Sequence, residues 1–196
     1  MTKKILCIIA NPDTRADSLS SSISRAFLDE LRASQRESEI NEMNLYEIDM
    51  PALNFNTIKT LEPMQVEEED FNRLLEQLTD SDAFVFISQT IAFGLPARLK
   101  SFIEILLATK HIEKLGNKKA FHLQIEDDTL GPIYQTNEHE DFRNFLKEKS
   151  VNMIEPLNLP HHHLEAGEHE NVLLEIIEDT RLAAREFAQF INQESS

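Results

Sequence analysis

Hydroxyl, amide, imidazole and carboxylate groups gather at four places in this chain where their spacing could do chemistry. The stretch Asn11-Pro-Asp-Thr-Arg-Ala-Asp-Ser18, continued by Ser20, Ser21 and Ser22, joins a polar loop to the start of a helical pattern. Exposed backbone N–H groups and the positive end of a helix dipole converge at such a junction, which suits an anion, phosphate above all. The same serines also suit plain capping and solvated positions. In Gln89-Thr-Ile-Ala-Phe-Gly-Leu-Pro96, Gly94 permits a tight backbone and Pro96 fits the first turn of a following helix. In His161-His-His-Leu-Glu-Ala-Gly-Glu-His169, an extended backbone would put His161 and His163 on one face, with Glu165, Glu168 or His169 to complete a zinc or nickel site. That spacing matches no established ligand motif, and solvated histidines are the plain alternative. The acids Glu67-Glu-Glu-Asp70 point in different directions on a helix, so they read as partners of its dipole rather than as a cation cluster.

The elements that must position these groups follow from hydrophobic period. Ala83 to Ser88 is a short, nearly unbroken apolar run, the pattern of a strand covered on both faces. From Pro96 to Leu107, Leu99, Phe102, Ile103, Leu106 and Leu107 recur at helical spacing. A parallel strand feeding a helix through a short loop puts that loop at the carboxyl edge of the sheet, where open α/β sheets bind ligands. Lys3 to Ala10 reads as a first buried strand and Leu19 to Leu31 as a helix capped by Ser18. A second strand is expected within Ser38 to Asp49 and a helix from Glu67 on Phe71, Leu74, Leu75 and Leu78. Lys118 to Ile125 reads as strand four, Glu138 to Lys149 as a helix, and a fifth strand falls within Val151 to Leu159. The last helix, 171–192, is expected to bury Leu173, Leu174, Ile177, Leu182, Phe187 and Ile191. His111, His122 and His139 stand alone in this reading, with His122 a structural histidine. Alternating strands and helices predict an α/β fold with a five-stranded parallel sheet in order 2-1-3-4-5 and helices on both faces.

With 196 residues, 41% of them hydrophobic, the chain can bury a proper core as one domain, residues 1–196. A net charge of -16 and a pI near 4.8 argue against nucleic acid and anionic membrane as partners and favour small molecules. The one cysteine, Cys7, lies in an apolar run and reads as a small buried hydrophobe of a reducing compartment. The first strand begins at once, so no signal peptide and a cytoplasmic location are expected.

Three of these stretches resemble a known family, the flavodoxin-like NAD(P)H dehydrogenases, specifically the FMN-dependent NADH azoreductases and the related quinone reductases. Asn11-Pro-Asp through Ser18 resembles the family's loop after strand one, a Ser/His-Pro start followed by a Ser-x-Ser or Ser-x-Asn that holds the FMN phosphate. Phe93-Gly-Leu-Pro-Ala-Arg-Leu-Lys-Ser-Phe-Ile-Glu104 resembles the signature Asn-Phe-x-x-Pro-x-x-Leu-Lys-x-Phe-Ile-Asp. Gly116-Asn-Lys-Lys-Ala120 resembles the Gly-Lys-Lys-Ala lead-in to strand four. The resemblance implies a flavodoxin-like three-layer sandwich, FMN as cofactor, NADH or NADPH as co-substrate, an azo compound or quinone as small-molecule electron acceptor, and a homodimer with the ring at its interface. It places Asn11, Ser18 and Ser20 at the phosphate and Thr90, Ile91, Ala92, Phe93 and Gly94 along the ring, with no catalytic acid–base residue required. The chain departs from the pattern in several places. The family's tyrosine and asparagine facing the flavin are Ile91 and Ala92; its Gly-Gly after strand four is Asp127 and Asp128; and Ala16 stands two before Ser18, beside an Asp17 that would repel phosphate if turned inward. The segment from Leu107 to Gly116 is also shorter than in the azoreductases. These departures keep open a second reading, a flavodoxin-like domain whose flavin site has degenerated and which now acts as a binding or regulatory module.

Overall fold

A computed structural model describes residues 2–13, 15, 17–53, 66–91, 94–126, 137–155, 158–159 and 169–193. The stretches read as strands one, three and four become β1 (Lys4–Ala10), β3 (Ala83–Thr90) and β4 (Lys119–Glu126), and the one expected within Ser38 to Asp49 becomes β2 (Glu39–Asn44). β3 is buried at all eight positions, as expected of a strand flanked by neighbours in the sheet and covered above and below. The pairing is parallel throughout, in the order β2-β1-β3-β4-β5, with Ala10 beside Ser88, Ser88 beside Gln124 and Thr90 beside Glu126. The fifth position is occupied by two short pieces, β5 (Asn152–Met153) and β6 (Asn158–Leu159), which pair with the two ends of β4. Pro156, which separates them in sequence, has no N–H to give to a ladder.

Among the described residues, five α-helices cover the sheet. α2 (Glu69–Asp80), α3 (Ala97–Ala108) and α4 (Glu138–Glu148) pack on one face, where Phe71, Phe102 and Phe142 meet Phe84 and Phe86. α1 (Leu19–Ser34) and α5 (His169–Asn192) pack on the other, where Phe27 stacks on Phe121 with ring centroids 5.3 Å apart. Glu69 and Asp70 lie in the first turn of α2, in keeping with a dipole role. At the amino edge of the sheet, lysine ammonium groups cap the ends of two helices: Lys118 donates to the carbonyls of Thr79 (2.7 Å) and Ser81, and Lys119 to those of Phe190 (2.8 Å) and Gln193.

The face of α5 differs from the expected one. Leu174 and Leu182 are exposed at 58% and 49%, and Leu173 and Ile177 are only half-buried. The buried stripe is Ile176, Thr180, Ala183, Ala184, Phe187, Ala188 and Ile191. Its alanines let the backbone of α5 approach α1 closely, and the bulk of Leu174 and Leu182 falls outside that seam. On α3, Leu107 is likewise exposed.

Candidate functional site

The carboxyl ends of β1, β3 and β4 lie side by side, so the segments leaving them share one edge of the sheet. At the end of β1 the polar loop is tied down by its own side chains. Asn11 Oδ1 accepts from the Asp13 N–H (3.0 Å), and Asp13 in turn holds the Arg15 guanidinium through both carboxylate oxygens, at 2.9 and 2.8 Å. Those Arg15 hydrogen bonds keep the Asp13 carboxyl below its ordinary value. Ser18 is the N-cap of α1, with extended backbone, and its hydroxyl accepts from the Ser21 N–H at 3.2 Å. The same hydroxyl donates to Ser21 Oγ (2.8 Å) and lies 3.3 Å from Ser20 Oγ. Ser20 is fully buried and accepts from Asn11 Nδ2 at 2.9 Å, so it braces the loop from behind. Asp17 is exposed, with its charge turned to solvent. A cleft of about 460 Å³ opens beside this loop on the β2 side, lined by Asn11, Asp13, Ser21, Ser24, Arg25 and Asn44.

At the end of β3, Ile91 and Gly94 exchange two backbone hydrogen bonds of 3.0 Å and close a tight turn. Gly94 has φ 130°, a conformation that a side chain would strain. Pro96 follows as the N-cap of α3. Thr90 is buried, Ile91 half-buried, and Ala92 and Phe93 lie outside the described residues, as do Ala16, Asp127, Asp128 and the His161–His163 cluster. Among the described residues no group of three or more His, Cys, Asp or Glu is placed to hold a metal ion, and no helix is long and apolar enough to cross a membrane. Cys7 is fully buried, and that burial pushes its thiol up to about 12, which leaves it inert as a nucleophile.

A layer of buried polar groups beneath this edge was not anticipated. His122 and His139, read as isolated, stack with ring centroids 5.3 Å apart and planes 22° from parallel. His122 Nε2 lies 2.8 Å from Ser88 Oγ, and His139 Nε2 lies 3.1 Å from Thr90 Oγ1. Gln124 Nε2 donates to Thr90 Oγ1 (3.4 Å) and to Glu126 Oε1 (3.1 Å). Burial first, then Arg143, lower His139 to about 4, against a partial offset from Glu138. Burial, then His139 and Arg143, hold His122 well below the ordinary imidazole value. Both rings are therefore neutral at pH 7. Next to His139, Glu138 accepts from the Leu95 N–H (2.9 Å) and from Lys100 Nζ (2.8 Å). Burial works to raise the Glu138 carboxyl, but Lys100 and the Leu95 amide outweigh it and leave it below the ordinary carboxylate value. The sequence held one sign of this layer: His122, Gln124 and Glu126 on β4 are polar at every second position between apolar residues, and β3 ends in the polar run Ser88-Gln89-Thr90.

The residues present fit a flavin mononucleotide at both ends of the edge. The first-turn amides of α1 suit a phosphate, and the Ser18 and Ser21 hydroxyls, which here donate to Ser21 Oγ and to the Asp13 carbonyl, would turn outward to add to that donor set. The Ile91–Gly94 turn offers backbone groups with half-buried Ile91 beside them, which suits an uncharged aromatic ring.

Comparisons with known proteins bear on the same edge. The model of the flavodoxin-like fold family matches residues 3–170. The FMN-dependent NADH:quinone oxidoreductase of Bacillus pumilus is 23% identical, over 94% of this chain and 99% of that protein. An azoreductase from Bacillus anthracis strain Sterne superposes with a TM-score of 0.69 at 20% identity, covering 94% of this chain and 100% of the other. An FMN-dependent NADH-azoreductase from the Ames Ancestor strain, solved in complex with FMN, gives a TM-score of 0.64 at 15% identity, covering 95% and 100%. At such identities the structures share a fold with this chain.

Proposed function

The chain belongs to the flavodoxin-like fold family, and from that premise we propose that it is an FMN-dependent NAD(P)H oxidoreductase, passing electrons from a nicotinamide by way of bound flavin to a quinone or an azo compound. The observation that carries this reading is the pairing, along one sheet edge, of an anion-suited helix start at Ser18 with the backbone turn Ile91–Gly94. The names of the relatives support it: the Bacillus pumilus protein is an FMN-dependent NADH:quinone oxidoreductase, and the Ames Ancestor azoreductase was solved with FMN.

When bound, FMN supplies the redox chemistry, accepting hydride and giving two electrons to the acceptor. The chain's own residues bind, orient and exclude water. Ser18, with Ser21 and the α1 amides, would hold the phosphate, while Asn11 and Ser20 keep that loop rigid. Thr90, Ile91 and Gly94 would set the backbone along the ring, and Ala92 and Phe93 are assigned there by the resemblance. No side chain is asked to act as a general acid or base. The reading carries with it a single domain over residues 1–196, a cytoplasmic setting that suits the free thiol of Cys7, and a homodimer. Exposed Leu107 and half-buried Ile103 on α3 are apolar surface that a second copy could cover.

An anaerobic titration of the purified protein with FMN tests the proposal. The expected result is quenched flavin fluorescence, a yellow protein that bleaches with NADH or NADPH, and recovery of colour on adding a naphthoquinone. A flavin spectrum and fluorescence unchanged by the protein would remove the enzyme and leave the degenerate-site binding module.

A further inference from the structure

The first turn of α4 reaches across the sheet edge and grips the turn that follows β3. Two adjacent residues do this. Glu138 binds the Leu95 N–H and Lys100, on the far side of the turn, and His139 meets Thr90, on the near side. Thr90 Oγ1 also accepts from Gln124 Nε2. His139 is 4% exposed, its Nδ1 has no hydrogen-bond partner among the described residues, and the same holds for Nδ1 of fully buried His122. A neutral imidazole carries one N–H, and an unpaired N–H in the interior costs more than an unpaired lone pair. The network therefore assigns each proton to Nε2, where His139 donates to Thr90 and His122 donates to Ser88. With both lone pairs of Thr90 Oγ1 engaged, by Gln124 and by His139, its hydroxyl can act only as a donor. The stack of the two imidazoles fixes the His139 ring against β4, so the last residue of β3 is held from two neighbouring elements at once.

We infer that His139 is a positioning residue for the flavin site: through its hydrogen bond to Thr90 it holds the Ile91–Gly94 turn in the conformation that receives the ring. The inference rests on the proposed function for its ligand but not for its geometry, which the free protein can report. No part of the resemblance assigns a role to His139 or to Thr90 through its side chain. A turn fixed in advance spares the ligand the entropy of ordering it, and that advantage is lost if the brace is cut.

Two substitutions separate the hydrogen bond from the packing. His139→Phe keeps an aromatic ring to stack on His122 and removes the N–H; His139→Gln restores an N–H donor near the Nε2 position. In the protein without FMN, amide exchange at Ile91 and Gly94 is expected to speed up about tenfold in His139→Phe relative to Leu123 in β4, and to return to within about threefold of wild type in His139→Gln. Thr90→Val should reproduce the effect, with no further change when combined with His139→Phe. FMN dissociation constants from fluorescence quenching should follow the same order, weaker by about tenfold in His139→Phe and recovered in His139→Gln. Exchange at Ile91 and Gly94 that is unchanged in His139→Phe, or a His139→Gln variant as loose as His139→Phe, overturns the inference. A wild-type protein that takes up no FMN defeats the enzyme reading instead, and the exchange rates alone then decide whether His139 positions the turn.

Discussion

Ser18 carries two duties that one substitution can separate. Its hydroxyl caps α1 by accepting from Ser21, and in the proposed function it also faces a phosphate. Aspartate is as good an N-cap as serine but places a negative charge where a phosphate would sit. Ser18→Asp should therefore leave folding stability within about 0.5 kcal/mol of wild type while FMN affinity falls by more than about tenfold, as read by urea unfolding and fluorescence quenching. Ser18→Ala should instead lose about 1 kcal/mol of stability. If both variants bind FMN like wild type, the phosphate lies elsewhere. His139 gives a second prediction, in pH. Its folded value, about 4, is below the 6.5 of a free imidazole, so between those values the unfolded chain binds a proton that the folded chain refuses. Stability from this residue is complete above about pH 6.5 and falls by roughly 3 kcal/mol as pH drops to about 4. His139→Phe should make that part of the profile less steep in urea unfolding between pH 7 and 4.5, the buried His122 keeping a share of its own, and an equally steep variant would show that His139 is not a group responsible. Ser18 was legible in the sequence because a cap is a local event, settled by the next few residues. The contact between His139 and Thr90 was not, because it joins residues 49 apart whose neighbours say nothing of one another.

At the scale of elements, a helix end shows how a sequence can fall short of its own geometry. α4 closes with the Val151 N–H bonded to the Leu146 carbonyl (3.1 Å) and the Ser150 N–H to the Lys147 carbonyl (2.9 Å), while Val151 and Leu146 pack in the same core. This is a Schellman motif, and its left-handed position, φ 62°, is occupied by Ser150 where glycine is usual. Ser150→Gly should stabilise the protein by roughly 1 kcal/mol, seen as a higher urea midpoint at unchanged slope. No gain, or a loss, would mean that the Ser150 side chain, whose Cβ lies near Gly116, contributes packing that outweighs the backbone strain. β1 and β3 were easy to see because they are buried on both faces and run largely in apolar residues, whereas β4, equally buried, alternates with His122, Gln124 and Glu126. α5 was harder. It carries two apolar rows, and hydrophobicity favoured the leucines, whereas the seam with α1 selects for small size and takes Ala183, Ala184 and Ala188. Period identifies a helix, but shape decides which of its faces is buried.

For the molecule as a whole, strand order 2-1-3-4-5 followed from alternation and handedness, since few topologies satisfy both. The distribution of charge could not be read that way. Of the basic side chains, Lys3, Lys118 and Lys119 are bound to helix carbonyls at the amino edge, remote from the carboxyl edge where the proposed ligand sits. At the carboxyl edge Arg15 is engaged by Asp13, and Lys100 by Glu138. An anionic flavin approaching a protein of charge -16 therefore meets long-range repulsion, and is held only at short range by hydroxyls, amides and the α1 dipole. Salt screens the first effect far more than the second, because the Debye length shrinks from about 30 Å at 0.01 M to about 8 Å at 0.15 M, while hydrogen bonds act at contact. The association rate of FMN should consequently rise, by roughly tenfold, over that range of ionic strength, with a much smaller change in the dissociation rate. Stopped-flow quenching of flavin fluorescence measures both rates. An association rate that falls with salt would show that a local positive field, from groups such as Arg15 and Arg25, governs the approach, and that the site was built for its anion by side-chain charge rather than by backbone.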